Sequence, residues 1–209
     1  MNTERSPSDV TSSAVAVLVP IKDFSDAKFR LADTLSSGQR AAIAKEMARR
    51  VVTAAAPHPV YVVCDDEDVA TWALAHNAAV ITANQPGLNK AVTTGFVHLR
   101  GLGYDTVIVS HADLPLASSY DSIADFAGIT IVPDRHGGGT NVMAVPTRLD
   151  FTFTYGVDSY SLHRAEAERL GEPVRSLAVR NLQWDVDTPL DLHESLGLSA
   201  LLANETNPP

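Results

Sequence analysis

Short β-branched apolar runs alternate with helical segments along the first 130 residues of the chain, and this alternation constrains the fold more than any other feature. The first four runs lie at residues 14–20, 60–64, 79–82 and 106–110. Each gap between them is long enough for the helical crossover that joins two parallel strands. This alternation predicts an α/β fold with a mostly parallel sheet and helices on both faces.

The rest of the chain predicts further elements of the same kinds. Later strands are expected at residues 129–133, 140–145 and 174–179, the second of them pairing back on its neighbour. A first helix is expected to begin at Ser36 or Ser37, and a second to run from the acidic residues 65–68 to about His76. Further helices are expected over residues 89–102, 118–127 and 158–170, and a last one from Pro189 onward, capped by Asp187 or Thr188.

Length and charge narrow the classes of function. A chain of 209 residues suits one domain with a sizeable core, expected at residues 14–198, between a disordered arm at 1–13 and a tail at 199–209. The net charge of −9 argues against nucleic acid and anionic membranes as partners. One cysteine and no basic, apolar leader predict a reducing, cytoplasmic location.

Asp113 stands just past the end of the predicted strand at residues 106–110. Open α/β sheets place their ligands and chemistry at the carboxyl ends of central strands. The alternative is that Asp113 caps a helix after Pro115 or closes a turn. The sequence favours the functional interpretation, because other candidate residues follow other strand ends.

Two such groups of charged residues complement Asp113. Lys22, Lys28 and Arg30 follow the first strand, and in an acidic chain three cations on one loop favour binding of phosphate. Asp185 and Asp187 form a D-x-D pair whose carboxylates lie on one side of an extended segment. Oxygen ligands without thiols or a histidine cluster suit Mg²⁺. The alternative for the three cations is a solvated helix surface, and the alternative for the D-x-D pair is a cap of the final helix.

The remaining motifs are weaker. Three glycines at residues 137–139 could form an anion-binding nest, with the Thr140 hydroxyl as a further donor, although such runs are commonly turns. Gly156 and Ser159 precede or begin a predicted helix, where backbone N–H groups point at anions. His111, His136 and His163 lack metal-ligand spacing and are interpreted as structural or surface groups.

Four segments together resemble one protein family. They are VPIKDFSDAKFRL at residues 19–31, ADLP at 112–115, PDRHGGGTN at 133–141 and DVDTP at 185–189. In this order they resemble the 2-phospho-L-lactate / phosphoenolpyruvate guanylyltransferases of coenzyme F-420 biosynthesis, known as CofC or FbiD. The similarity runs over nearly the whole chain.

The resemblance implies a single-domain nucleotidyltransferase fold related to the glycosyltransferase-A sheet. It also implies transfer of GMP from GTP to the phosphate of a small phosphorylated carboxylic acid, with Mg²⁺ as cofactor and release of pyrophosphate. The oligomeric state stays open, and a homodimer is one expectation. Phosphoenolpyruvate is the expected acceptor, and 2-phospho-L-lactate and 3-phospho-D-glycerate are the alternatives.

The resemblance also assigns roles to residues. By resemblance, the metal ligands are Asp113, Asp185 and Asp187, the catalytic phosphate-binding cations are Lys22, Lys28 and Arg30, the acceptor-binding residues are Thr140, Gly156 and Ser159, and the nucleotide-binding residues are Gly87 and Asn89. Gly138 stands where family members usually have threonine, which is expected to remove a donor and loosen the loop.

Two other functions remain open from the sequence. A glycosyltransferase-A-like enzyme acting on nucleotide sugars would also use a D-x-D pair and a metal, although its pair usually ends a mid-chain strand. A catalytically silent nucleotide-binding module would keep the pocket without turnover.

Overall fold

The computed structural model describes residues 14–24, 28–83 and 85–195. The arm predicted at residues 1–13 and the tail at 199–209 lie outside these residues. No helix in the described part of the chain is both long enough and apolar enough to cross a membrane.

The described residues form a seven-stranded sheet with the order β3-β2-β1-β4-β6-β5-β7. Its strands are β1 Val15–Pro20, β2 Val60–Cys64, β3 Ala79–Thr82, β4 Thr106–Ser110, β5 Ile129–Pro133, β6 Thr140–Pro146 and β7 Val174–Ser176. Only β6 runs antiparallel to its neighbours, β4 and β5. The other paired strands are parallel, which confirms the prediction of a mostly parallel sheet.

Local sequence signals fix several helix boundaries. The helices are α1 Ser37–Ala54, α2 Glu67–Ala75, α3 Leu88–Gly101, α4 Ser159–Arg169 and α5 Arg180–Gln183, and residues 189–195 are also helical. Ser36 caps α1 in a reciprocal capping box with Gln39. Asp66 caps α2 by accepting a hydrogen bond from the Val69 N–H. The predicted start signals at these helices are therefore confirmed.

Helices cover both faces of the sheet, as predicted. Alternate residues of β1 point to opposite faces, so that Val17 and Val19 pack in the core beneath α1 and α2, whereas Ala16 and Leu18 pack beneath α3. The core residues of β1 are fully buried, as expected for a central strand between two helical layers.

The prediction of a helix at residues 118–127 is wrong. This segment forms turns instead, and the Ser119 hydroxyl accepts a hydrogen bond from the Asp121 N–H. Serine side chains that bond nearby backbone compete with helix formation. Tyr120 and Ile123 are nevertheless buried, so the segment covers the core without being helical.

Candidate active site

The carboxyl ends of β1 and β4 lie side by side, because the two strands are parallel neighbours. The segments that follow them line a cavity of about 480 Å³. Ala44 and Met47 of α1 also line it. Five of the charged residues predicted from the sequence line this cavity, namely Lys22, Lys28, Arg30, Asp113 and Asp187.

Asp113 and Lys28 form the central ion pair of this cavity. The Lys28 Nζ lies 2.5 Å from Asp113 Oδ2 and 3.5 Å from Asp187 Oδ1. Burial disfavours the charged ammonium, but the two carboxylates outweigh it and raise the pKa of Lys28. Burial also acts to raise the pKa of Asp113, yet Lys28 and His111 hold it below its usual value. Both side chains of the pair are therefore charged at neutral pH.

Backbone geometry directs Lys28 toward Asp113. Lys28 has a φ of 56°, in the left-handed region that residues other than glycine rarely adopt. It precedes the 3-10 turn Phe29–Leu31, and no side chain caps that turn. The ion pair with Asp113 stabilises this strained conformation, as is common for strained residues at functional sites.

Asp113 does not cap a helix. Residues 111–128 contain none, and the Asp113 side chain instead contacts Lys28. Its other oxygen, Oδ1, is buried and has no hydrogen-bond partner among the described residues, and His111 Nδ1 lies 3.9 Å from it. This oxygen has unused capacity to bind a cation.

Asp187, near the C-terminal end of the described residues, lies beside Lys28 and Arg30. Its Oδ2 lies 2.9 Å from Arg30 Nη1, in an exposed ion pair. The cap of the following helix comes from Thr188, whose hydroxyl accepts a hydrogen bond from the Asp191 N–H, while the Asp191 carboxylate accepts one from the Thr188 N–H. Because Thr188 supplies the cap, the Asp187 carboxylate is free to face Lys28 and Arg30.

Asp185 lies close to the central pair but has other partners. Asn141 Nδ2 donates a hydrogen bond of 3.4 Å to its Oδ1, and Arg135 Nη1 lies 4.0 Å from the same atom. Burial, together with the negative charge of Asp113, raises the pKa of Asp185. The two carboxylates are therefore near enough to repel each other.

Arg135 was not predicted as a functional residue. It donates to the Asp185 carbonyl oxygen at 3.0 Å, forms an ion pair with Asp191 and stacks over the Trp184 ring. It thereby fixes the D-x-D segment against the end of β5. Its position just after the strand predicted at residues 129–133 was the sequence feature that could have indicated a role at the site.

The three predicted metal ligands are not arranged as a complete metal site. Within the described ranges, no group of three or more His, Cys, Asp or Glu side chains could hold a metal ion. The physical reason is that the Lys28 ammonium lies between Asp113 and Asp187 and forms ion pairs with both. The donor atoms are nevertheless of the right chemistry, because the unpartnered Asp113 Oδ1 is a carboxylate oxygen and Mg²⁺ uses one or two carboxylates plus substrate phosphates.

The predicted acceptor-binding residues form a second polar region around the start of α4. Thr140 and Ser159 are buried, and Gly156 has a φ of 128° just before the helix. His163 Nε2 accepts a hydrogen bond from the Thr154 N–H, so its ring proton is on Nδ1 and is donated to the Thr140 hydroxyl at 3.0 Å. Burial and the nearby His111 lower the pKa of His163 to about 4, which keeps the ring neutral.

The glycine loop is not loose. The Asp134 carboxylate accepts hydrogen bonds from the N–H groups of His136, Gly138 and Gly139, at 2.9, 3.1 and 2.7 Å. The predicted nest is thus occupied by a carboxylate of the chain itself. A Cβ at Gly139 would lie 2.6 Å from Asp134 Oδ2, which explains glycine there, whereas Gly138 has open space around it.

The two predicted nucleotide-binding residues have different surroundings. Gly87 lines a second cavity, beside the first. Asn89 accepts a hydrogen bond from the Tyr155 N–H at 2.7 Å and donates one to the Tyr155 carbonyl oxygen at 3.3 Å. Asn89 therefore fastens α3 to the segment before α4.

Tyr155 and His111 link the two polar regions and were also not predicted. Their ring centroids lie 5.3 Å apart, and Tyr155 also contacts His163 edge to face at 4.8 Å. The Tyr155 hydroxyl and His111 Nε2 are both buried without a hydrogen-bond partner in the described part of the chain. Tyr155 follows no motif that would have indicated this position.

Comparison with known proteins adds independent evidence. A family model described as guanylyl transferase CofC like matches residues 15–198. A phosphoenolpyruvate guanylyltransferase from Sphaerobacter thermophilus is 33% identical over 189 residues, which is 86% of this chain and 91% of that protein. Another of the same name from Conexibacter woesei is 34% identical over 187 residues, 84% of each chain.

Solved structures agree at the level of the fold. A nucleotidyl transferase from Methanothermobacter has a TM-score of 0.61 at 15% identity and covers 88% of this chain and 99% of its own. A CMP:2-keto-3-deoxy-manno-octonic acid synthetase complexed with CTP has a TM-score of 0.60 at 15% identity, over 92% and 100%. The predicted nucleotidyltransferase fold is confirmed, and the match over residues 15–198 shows that the chain belongs to the guanylyl transferase CofC-like family.

Proposed function

We propose that this protein transfers GMP from GTP to the phosphate of phosphoenolpyruvate, releasing pyrophosphate, in coenzyme F-420 biosynthesis. The observation that carries the proposal is the group of Lys28, Arg30, Asp113 and Asp187 in one cavity. It occurs in a chain whose relatives are named for this reaction. The cytoplasmic location and the homodimer stay predictions.

The charges of the cavity suit two anionic substrates. The chain as a whole carries a net charge of −9, which repels phosphates at a distance. Lys22, Lys28 and Arg30 reverse this locally, because all three line the same cavity. Lys22 makes no ion pair with any described residue, so its ammonium is available to phosphate oxygens.

We propose Mg²⁺ as the cofactor, held by Asp113 and Asp187 with Asp185 close behind them. The unpartnered Asp113 Oδ1 and the oxygen-only donor set support this assignment. When bound, Mg²⁺ would neutralise charge on the triphosphate. Lys28 would then be released from Asp113 and could bind phosphate.

The chemistry needs no nucleophile from the protein. The acceptor's phosphate is already ionised at neutral pH, and its oxygen attacks the α-phosphorus of GTP as the bond to the β-phosphate breaks. Lys22 and Lys28 would hold the phosphates in line and stabilise the charge that develops on pyrophosphate. Arg30, which is 74% exposed, would contact the outer phosphates at the cavity mouth.

Mass spectrometry of the product tests this function. The protein is incubated with GTP, Mg²⁺ and equal amounts of phosphoenolpyruvate, 2-phospho-L-lactate and 3-phospho-D-glycerate. We expect pyrophosphate release and a guanylylated phosphoenolpyruvate as the main product. Guanylylation of another acid would correct the acceptor only. Nucleotide binding with no guanylylated product would contradict the function and favour a silent binding module, and turnover of nucleotide sugars would favour a glycosyltransferase.

A further inference from the structure

A second cavity adjoins the charged one. It has a volume of about 160 Å³ and lies beyond the carboxyl ends of β2 and β3. Pro20, Ile21, Lys22 and Leu88 line both cavities, so the two cavities adjoin at these residues. A molecule with a charged end and a flat, largely apolar end could therefore extend from one cavity into the other.

The second cavity has mostly apolar walls and one carboxylate. Ile21, Ala83 and Leu88 supply surfaces on which a ring can pack, and Asp65 is the acidic residue in the lining. Asp65 is exposed and makes no hydrogen bond or ion pair with any residue that the structure describes. Its carboxylate thus has both oxygens available to a ligand.

The neighbouring acidic residues have other roles. Asp66 caps α2 through its side chain. Glu67 and Asp68 lie in the first turn of α2, where negative charge is favourable, and neither lines the cavity. Only Asp65 of this acidic run faces the cavity, so its position is not explained by the helix.

We propose that Asp65 recognises the guanine of GTP, by accepting hydrogen bonds from the N1–H and the 2-amino group. This inference rests on the proposed function and names the specificity-determining residue within it. A carboxylate offers two acceptors side by side, and guanine presents two adjacent donors on this edge. Adenine has an acceptor at N1 and no 2-amino group, so it would leave the carboxylate without these bonds.

The position of Lys22 supports this placement of the nucleotide. Lys22 lies at the junction of the two cavities, between Asp65 on one side and the Asp113 group on the other. With the base beside Asp65, the α-phosphate can lie near Lys22 and the outer phosphates near Lys28 and Arg30. One nucleotide would then span both cavities.

Replacing Asp65 tests the inference through base selectivity. The kcat/KM of guanylyl transfer is measured with GTP and with ITP, whose base lacks the 2-amino group, for the wild type, Asp65→Asn and the control Asp68→Asn. We expect the wild type to prefer GTP over ITP by about tenfold or more, because ITP loses the hydrogen bond from the 2-amino group to a charged carboxylate. Asp65→Asn should lose about 10²-fold with GTP and much less with ITP. The control removes the same charge three residues further along the chain, at a residue that does not line the cavity, and should behave as wild type.

Binding measurements separate failure of this inference from failure of the proposed function. Calorimetry with GTP and ITP, without any acceptor, measures the ratio of the two affinities separately for the wild type and for each variant. If the wild type binds GTP but makes no product, the function is wrong, and the binding ratio still tests Asp65. An unchanged GTP-to-ITP ratio in Asp65→Asn, with circular dichroism like that of wild type, would overturn the inference.

Discussion

Two polar regions lie near each other at the same edge of the sheet, and they use their hydrogen-bonding groups differently. Around Asp113, opposite charges line an open cavity, and Asp113 Oδ1 has no hydrogen-bond partner among the residues that the structure describes. Around Thr140, the groups are buried and already bonded, since His163 connects the Thr140 hydroxyl to the Thr154 N–H.

The difference indicates which region contributes to binding and which to stability. Charged groups that line a cavity can exchange their partners for a ligand, as proposed for Lys28 and Asp113. Buried and satisfied groups stabilise the fold, and removing one partner leaves the other unsatisfied. We therefore expect substitutions in the Asp113 region to affect activity first, and substitutions in the Thr140 region to affect stability first.

Asp113→Asn should have the largest effect. It removes the central negative charge, so that Lys28 and the proposed metal lose their main partner. We expect kcat/KM for guanylyl transfer to fall by about 10³-fold at saturating Mg²⁺. Circular dichroism should stay like that of wild type, and the surface control Asp121→Asn should keep full activity. Near wild-type turnover of Asp113→Asn would show that the metal assignment is wrong.

Lowering the pH should destabilise the region around His163. The pKa of this ring is about 4 in the folded protein against 6.5 as its ordinary value, so below pH 6.5 the unfolded chain binds a proton that the folded one does not. Between pH 6.5 and 5, the free energy of unfolding should fall by about 2 kcal/mol from this group. Urea titrations across this range measure it.

The variant His163→Asn should remove this pH dependence, whatever its own stability. His98→Asn, which changes an exposed histidine of α3, serves as the control and should keep it. An identical pH slope in wild type and His163→Asn would contradict the assignment of a neutral, buried ring.

Thr140→Val tests directly whether the second region is structural. The change leaves the His163 Nδ1–H without its acceptor, so we expect the free energy of unfolding to fall by about 1–2 kcal/mol. Thr93→Val, at an exposed position of α3, should change it by less than about 0.5 kcal/mol. The KM for the acceptor is measured on the same protein. A raised KM at unchanged stability would assign the hydroxyl to the acceptor instead.

Arg30→Gln should have the smallest effect on stability. Its ion pair with Asp187 is exposed, so the free energy of unfolding should change by less than about 1 kcal/mol. We expect kcat/KM for GTP to fall by about tenfold, because one phosphate contact is lost. Arg49→Gln breaks a comparable exposed pair on α1 and should leave kcat/KM unchanged. Equal activity of the two variants would exclude Arg30 from the site.

Local sequence signals determined most of the secondary structure. The strands at residues 60–64, 79–82, 106–110 and 129–133 were predicted with their observed bounds, because each is a short run of mostly apolar residues, many of them β-branched. The helix predicted at residues 118–127 does not form, because the Ser119 side chain bonds the local backbone there. A local pattern indicates a preference for helix or strand, but it does not indicate whether a side-chain hydrogen bond to the backbone will override that preference.

The site required the tertiary structure. The sequence by itself identified the charged residues that follow the first and fourth strands, and their order in the chain. Only the fold decided that Lys28 lies between Asp113 and Asp187, residues 85 and 159 positions away, and that Asp185 bonds Asn141 instead. The antiparallel β6 brings Asn141 and Thr140 beside the end of β4, because its start lies where the parallel strands end. Partners so distant in sequence leave no local pattern, since their contact depends on the order and direction of strands across the whole sheet.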